Sequence, residues 1–283
     1  MSFGIIDVGG SLKAAYAAGA IEYCMDHGIN FDICVGVSVG CANLSSYVAG
    51  QRNRNYAFYR EYSARSEYMS YENFAKKRVF FDLDYIYGTL INTGGQSPLD
   101  YSALTASKKI FKLAATDAES GEVEFFDKSA LEKDNYAVIK AACALPYLCA
   151  PQTVHGKTYI DGTLSDPIPI VYATETLGCD RVVVLLSDPL SVIPDKSKDV
   201  KLADKIRGKF PKAASVLDGR AETYAKSLNT ALDLERRGKA LVLAPGRLYG
   251  IDTMVRTDDG IDKLFADGYA DGRKISEFSA LRI

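Results

Sequence analysis

Ser38 is the residue best placed by sequence to do chemistry. In "CVGVSVGCAN" (34–43) it stands between Gly36 and Gly40, after a short apolar run and before a helix-forming stretch. A Gly-x-Ser-x-Gly turn between a strand and a helix is the setting of a nucleophile elbow, where the flanking positions must be small and the hydroxyl is lifted clear of the sheet. The N–H of Val39 would then point at the oxygen of an attacked carbonyl. The competing reading is an ordinary loop serine, since the string also occurs by chance; the strand–turn–helix context favours the elbow. A serine nucleophile needs a base. The chain has two histidines, His27 at the expected end of the first helix and His155 at a hairpin tip before Gly156. Both read as surface residues, which disfavours a Ser-His-Asp triad and turns attention to carboxylates. In "TYIDGTLSDPIPI" (158–170), Asp161 ends a strand and precedes Gly162. It is the candidate base. Asp166, before Pro167, reads as a helix N-cap. Asp7 and Asp117 are weaker alternatives for the base.

A second stretch, "IIDVGGSLKAAYAAGAIEYCMDHG" (5–28), joins an apolar run to a glycine turn and then to alanine-rich helical periodicity. Backbone N–H groups in such a turn, with the helix dipole behind them, make an anion site. Asp7-x-Gly9-Gly10-Ser11-x-Lys13 is similar to the phosphate motif of actin-like sugar kinases, although that motif sits between two strands of a hairpin. G-x-x-x-x-G-K-[ST] is absent, which excludes a P-loop. The turn by itself leaves three readings level: a phosphate site, an oxyanion site, and a tight turn that merely needs glycine.

The elements that must hold these residues follow from periodicity. "FGIIDV" (3–8), "FDICVGVSVG" (31–40) and "RVVVLLS" (181–187) read as buried strands. Ala14, Ala18, Ile21 and Met25 mark a helix that stops at Gly28. Strand–turn–helix repeated twice in fifty residues implies a parallel sheet. "IFKLAATDAESGEVEFF" (110–126) and "TVHGKTYIDG" (153–162) read as hairpins, "NYAVIKAACALP" as a helix stopped by Pro146, and "IPIVYATETLG" (168–178) as a helix. Residues 55–101 are crowded with Tyr and Phe. They either line an acyl channel or flap, or form a packed helical layer, the reading preferred for most of those rings. A polar stretch at 188–200 is a plausible boundary, followed by helical patterns at 201–208, 212–237 and 258–279 and a strand at 239–245.

With 283 residues, 47% of them hydrophobic, the chain can build one large core or a core with an appendage. Its net charge of −2 argues against a nucleic-acid partner. Six cysteines without a C-x-x-C pair read as small core residues in a reducing compartment. No apolar run approaches the length of a membrane span and no leader is seen, so a cytoplasmic protein is expected. The basic cluster Lys205, Arg207, Lys209 and Lys212 reads as a solvated surface, with peripheral contact to anionic lipid as the alternative. No clustered His, Cys or carboxylate ligand set appears, so no metal or organic cofactor is expected.

Taken in order, the glycine turn at 9–13, Gly-x-Ser-x-Gly at 36–40, Ala-Leu-Pro at 144–146 ("AACALPYLCAP") and Asp-Gly at 161–162 make the chain resemble the bacterial branch of the patatin-like phospholipases. "SSYVAGQRNRNY" and "YIDGTLSDPIPI" resemble one subgroup that also carries a C-terminal extension like residues 200–283. The resemblance implies an α/β fold, a mainly parallel sheet between helical layers, with a catalytic domain at 1–190 and a mostly helical extension with one strand at 191–283. It implies that Ser38 is the nucleophile and Asp161 its only partner. The oxyanion hole would be built from Gly9, Gly10, Ser11 and Val39, with Gly36 and Gly40 shaping the elbow and Lys13 and Gly162 in support. The family's turn usually runs Gly-Gly-Gly-x-Arg-Gly; here Ser11, Lys13 and Ala14 replace its third glycine, arginine and last glycine. Its Asp-Gly-Gly or Asp-Gly-Ala is Asp-Gly-Thr here, ending at Thr163. The expected function is a serine acyl hydrolase acting on lipid esters. The alternatives are a kinase-like phosphate binder built on Asp7–Lys13 and a catalytically silent lipid-binding protein.

Overall fold

The computed structural model describes residues 1–280. Its strands are β1 (Phe3–Asp7), β2 (Ile33–Val37), β3 (Ile110–Asp117), β4 (Val123–Asp127), β5 (Gln152–Val154), β6 (Lys157–Asp161), β7 (Arg181–Leu185) and β8 (Ala240–Leu243). They form one sheet in the order β5-β6-β3-β2-β1-β7-β8, with β4 paired to β3 outside that path. β3, β2, β1, β7 and β8 run parallel, while β4 and the β5–β6 hairpin are antiparallel additions. The parallel strands are covered on both faces, and β2 and β7 are buried at every residue. That is why they read as continuous apolar runs rather than as alternating patterns.

The helices are α1 (Ala15–Asp26), α2 (Gly40–Val48), α3 (Arg54–Arg60), α4 (Tyr71–Lys77), α5 (Leu83–Tyr85), α6 (Tyr101–Ala106), α7 (Ala137–Ala142), α8 (Lys196–Arg207), α9 (Pro211–Asp218), α10 (Arg220–Arg236) and α11 (Asp258–Ala280). On one face of the sheet, α1, α2 and the aromatic 55–101 region share a core with Ile5, Cys34, Val183 and Leu185. On the other, Ile6, Val35, Val182 and Val184 pack with Ile168, Ile170 and Leu228 of α10. The molecule is thus a mostly parallel mixed sheet between helical layers, as the sequence implies. Residues 191–283 contribute α8 to α11 and β8, and β8 lengthens the same sheet by pairing with β7.

Two elements differ from expectation. The first helix opens with a 3-10 turn, Ser11–Ala14, which follows the left-handed Gly9 and Gly10 and starts on a third left-handed residue, Ser11. The segment 168–178 is helical only over residues 170–176, most of it a wide turn, Tyr172–Thr176. Pro167 and Pro169 disfavour helical backbone before them and remove donors. Within 55–101, Tyr59, Tyr62, Tyr68, Phe80, Phe81 and Tyr87 are buried and Phe58, Tyr85 and Tyr101 pack against the same core, so the layer reading describes most of those rings. All six cysteines are buried and free. Among the described residues no helix is long and apolar enough to cross a membrane.

Candidate active site

β3 explains how Ser38 and Asp161 meet. Its Lys112 pairs with both Val35 of β2 and Asp127 of β4, so β2 and β4 lie on opposite edges. Its Ala115 pairs with both Glu124 of β4 and Asp161 of β6, which puts β6 on the edge that β2 occupies. β2 ends there with Val37 opposite Ala114, and β6 ends with Asp161 opposite Ala115. Two strands from distant parts of the sequence therefore finish on consecutive residues of one edge. Ser38 follows the first and Asp161 terminates the second. The Ser38 hydroxyl donates to Asp161 Oδ2 at 2.6 Å.

Both groups are shielded from solvent: Ser38 is 4% exposed and Asp161 0%. Ser38 has φ +52°, a left-handed conformation that costs energy for a residue with a Cβ. The surroundings hold it there. A Cβ at Gly36 would stand 2.6 Å from Cys41 Cα, and one at Gly40 would overlap Asp7 O. The expected need for small flanking residues is therefore a steric one in this structure. Asp161 accepts at its other oxygen from the Thr163 N–H (2.9 Å) and the Thr163 hydroxyl (2.7 Å). Burial pushes the Asp161 carboxyl above the ordinary carboxylate range. The bonds from Ser38 and Thr163 and the charge of Arg220 oppose that rise. A carboxylate so held can accept the serine proton, and its second oxygen is fixed while it does so.

The glycine turn lies against the elbow. Gly9, Gly10 and Ser11 all have positive φ, +72°, +114° and +56°. A Cβ at Gly9 would be 2.5 Å from Val37 O, and one at Gly10 would be 2.5 Å from Ser187 Cβ. Ser11 thus takes up a glycine-like conformation, and its hydroxyl donates to Thr253 O at 3.0 Å. Gly9 corrects the sequence reading. Its N–H donates to Asp7 Oδ1 at 2.9 Å, so it is spent within the turn and is not aimed at a bound oxyanion. Lys13 forms an ion pair with Asp188 at 2.5 Å. Gly162 is required because a Cβ there would overlap Ala114 O of β3.

The other candidates lie elsewhere or do other work. His27 Nδ1 is 2.9 Å from Tyr23 O at the end of α1, and His155 is exposed at its hairpin. Asp7 is fully buried and accepts from Asn43 Nδ2 at 2.8 Å as well as from Gly9. Burial raises it to about 6. Asp117 closes the β3–β4 turn by accepting from Glu119 and Ser120 N–H. Asp166, raised to about 6 by burial, accepts from the Ile168 N–H, but no helix starts there. The capping role expected of it falls to Asp161, which caps the 3-10 turn Gly162–Leu164. Sequence reasoning missed Asn43, which ties Asp7 to the Tyr59 hydroxyl (3.1 Å). It also missed Arg220, held by the fully buried Asp199 (Nε to Oδ2, 3.1 Å). Asn43 has a sequence signal, lying one helical turn past the elbow; Arg220, far along the chain, has none. A cavity of about 480 Å³ opens onto Ser38 and is lined also by Gly10, Ser11, Lys13, Asp188 and Arg220.

A family model described as patatin-like phospholipase matches residues 7–174, a span that contains the glycine turn, Ser38 and Asp161. The uncharacterized protein YjjU of Escherichia coli (strain K12) is 27% identical over 187 residues. That alignment takes in 64% of this chain and 50% of YjjU, so the chain spans half the length of this relative. The crystal structure of VipD from Legionella pneumophila aligns over 98% of this chain and 67% of its own, with a TM-score of 0.49 and 14% identity.

Proposed function

The chain belongs to the patatin-like phospholipase family, and from that premise we propose that it hydrolyses carboxyl esters of lipids with Ser38 as nucleophile and Asp161 as its only side-chain base. The observation that carries this reading is the 2.6 Å hydrogen bond from Ser38 to Asp161 at a strained, sterically enforced elbow. In the first half-reaction the Ser38 hydroxyl proton passes to Asp161 Oδ2 as Oγ attacks the ester carbonyl carbon. The carbonyl oxygen becomes an oxyanion held by the N–H groups of Gly10, Ser11 and Val39. Collapse breaks the bond to the alcohol oxygen, which leaves with the proton from Asp161. In the second half-reaction water gives a proton to Asp161 and adds to the acyl carbon. The proton returns to Ser38 Oγ as the acid departs. One oxyanion donor is typically worth roughly 2.7–4 kcal/mol.

The kinase-like alternative loses its motif's charges: Asp7 is buried against Asn43, Lys13 is paired to Asp188, and a 3-10 turn and helix follow the glycines where that motif has a second strand. A catalytically silent lipid binder is separated by experiment. A fluorophosphonate probe is expected to label the wild-type protein at Ser38, and Ser38→Ala is expected to abolish both labelling and esterase activity. Equal labelling of the Ala variant, or a folded wild type that neither labels nor turns over any ester, overturns the proposal.

A further inference from the structure

Ten large hydrophobic side chains stand exposed among the described residues, and half of them lie in two short turns. Leu190, Val192 and Ile193 follow β7, and Met254 and Val255 precede α11. Apolar side chains scattered singly over a surface are ordinary. These are not scattered. Val192 and Ile193 from the first turn, and Asp252 and Thr253 from the second, stand in the wall of the cavity that opens onto Ser38.

Neither turn is loose. The Val192 N–H donates to Pro189 O at 2.8 Å, and the Asp252 N–H donates to Val255 O at 2.9 Å. Each turn is also tied to the glycine turn. Asp188, just before Pro189, pairs with Lys13 at 2.5 Å, and Thr253 O accepts from the Ser11 hydroxyl at 3.0 Å. The exposed apolar side chains and the nucleophile are therefore carried on one frame.

Charge around the opening is balanced. The wall holds Lys13, Lys198 and Arg220 against Asp188, Asp195 and Asp252. Much of it is spent inside the protein. Lys13 is paired with Asp188, and Arg220 is held by the buried Asp199. Asp195 caps α8 through the Ser197 N–H (2.9 Å), and Asp252 Oδ1 accepts from the Thr253 N–H at 2.7 Å. No field of one sign selects the partner, so the exposed apolar area decides it. A protein seated across both turns would close the way to Ser38. A lipid layer would instead supply what the cavity receives.

Building on the reading of Ser38 as the nucleophile of a lipid ester hydrolase, we propose that these two turns dock the protein on an electrically neutral lipid surface. Residues 190–193 and 254–255 enter the boundary between head groups and acyl chains, and the cavity opening faces the lipid. All of them lie outside the span 7–174 that the family model matches, so the docking surface belongs to the C-terminal part of this chain.

The test is flotation with vesicles of ether-linked phosphatidylcholine, which present a lipid surface and no carboxyl ester to cleave. The wild type and Ser38→Ala are expected to float equally, at low and at high salt alike. The triple variant Leu190→Ser/Met254→Ser/Val255→Ser is expected to lose about tenfold or more in vesicle partitioning. Its thermal midpoint and its kcat/KM on p-nitrophenyl butyrate should stay near wild type, because none of the three lines the cavity. Leu190→Ser and Val255→Ser alone should each give a smaller loss in the same direction. A wild type that does not float, or variants that float as it does, overturn the proposal. Binding that needs added phosphatidylglycerol and vanishes at high salt also overturns it and points to a basic surface instead. So does a wild-type dimer that the triple substitution dissociates. Flotation does not depend on the chemistry of Ser38, so absent fluorophosphonate labelling with vesicle binding intact overturns the serine reading alone.

Discussion

Thr163 is where a departure from the family's sequence acquires a physical meaning. Its side chain is absent from the usual Asp-Gly-Gly or Asp-Gly-Ala, yet here its hydroxyl and its N–H both donate to Asp161 Oδ1. Both bonds favour the ionised carboxylate against the burial that disfavours it. In the proposed reaction Asp161 must be ionised to take the Ser38 proton, so kcat/KM rises as pH climbs through its pKa. Because burial raises that pKa, the acid limb is expected above the ordinary value of about 3.9. Thr163→Val removes one donor and keeps the other. The ionised form loses support, so the limb moves to higher pH. A pH–rate profile on a soluble ester checks this; a limb that stays put or moves down would show that the hydroxyl does not tune Asp161. Ser11 poses the related question of a side chain where glycine is usual. It adopts φ +56° and keeps its place in the turn. Ser11→Gly relieves that strain at the expense of the bond to Thr253 O. Turnover is expected to be retained within a few-fold, measured as kcat on a short-chain ester.

At the scale of elements, the elbow and the glycine turn are one steric unit. Gly9 sits on Val37 O, and Gly40 sits on Asp7 O. Gly40→Ala drives β1 and the start of α2 apart and is expected to cost about 1–3 kcal/mol. It should appear as a lowered thermal midpoint together with lost labelling of Ser38; a wild-type melt would disprove the enforced contact. The elbow was legible in the sequence because everything it needs lies within ten residues: an apolar run, two glycines and a helical continuation. β6 and Asp161 were legible for the same local reason. The shared edge of β3 was not. Which strands finish on Ala114 and Ala115 depends on pairings between segments 77 and 46 residues apart, and strand periodicity carries no partner information. The same holds for Gly9. Glycine was correctly expected there, but the N–H was assigned to the oxyanion. Whether it turns to Asp7 depends on the burial of Asp7, which a single sequence does not display.

Across the whole molecule, residues 1–190 and 191–283 share one sheet through β7 and β8 and one helical layer through α1 and α11. The two helices approach so closely that a Cβ at Gly19 would overlap Phe265 O and one at Gly268 would overlap Tyr16 O. Gly268→Ala is expected to lower the thermal midpoint and, if the helices part enough to shift α1, to reduce esterase kcat as well; an unchanged melt would show that the pair is not tightly docked. The Tyr16 hydroxyl bonds Asp271 at 2.6 Å, and Ser11 reaches Thr253, so the segment that carries the glycine turn is held by residues far along the chain. This sets an order of events during synthesis. A chain emerging from the ribosome presents Ser38 early and Asp161 later, but the cover over α1 and the anchor of Ser11 arrive only with residues 253–272. Until then the fully buried Tyr16, Ala17 and Ala20 lack much of their packing. On the proposed mechanism, Ser38 emerges well before the residues that frame the glycine turn, and hydrolytic activity is expected only once residues 253–272 have joined the fold.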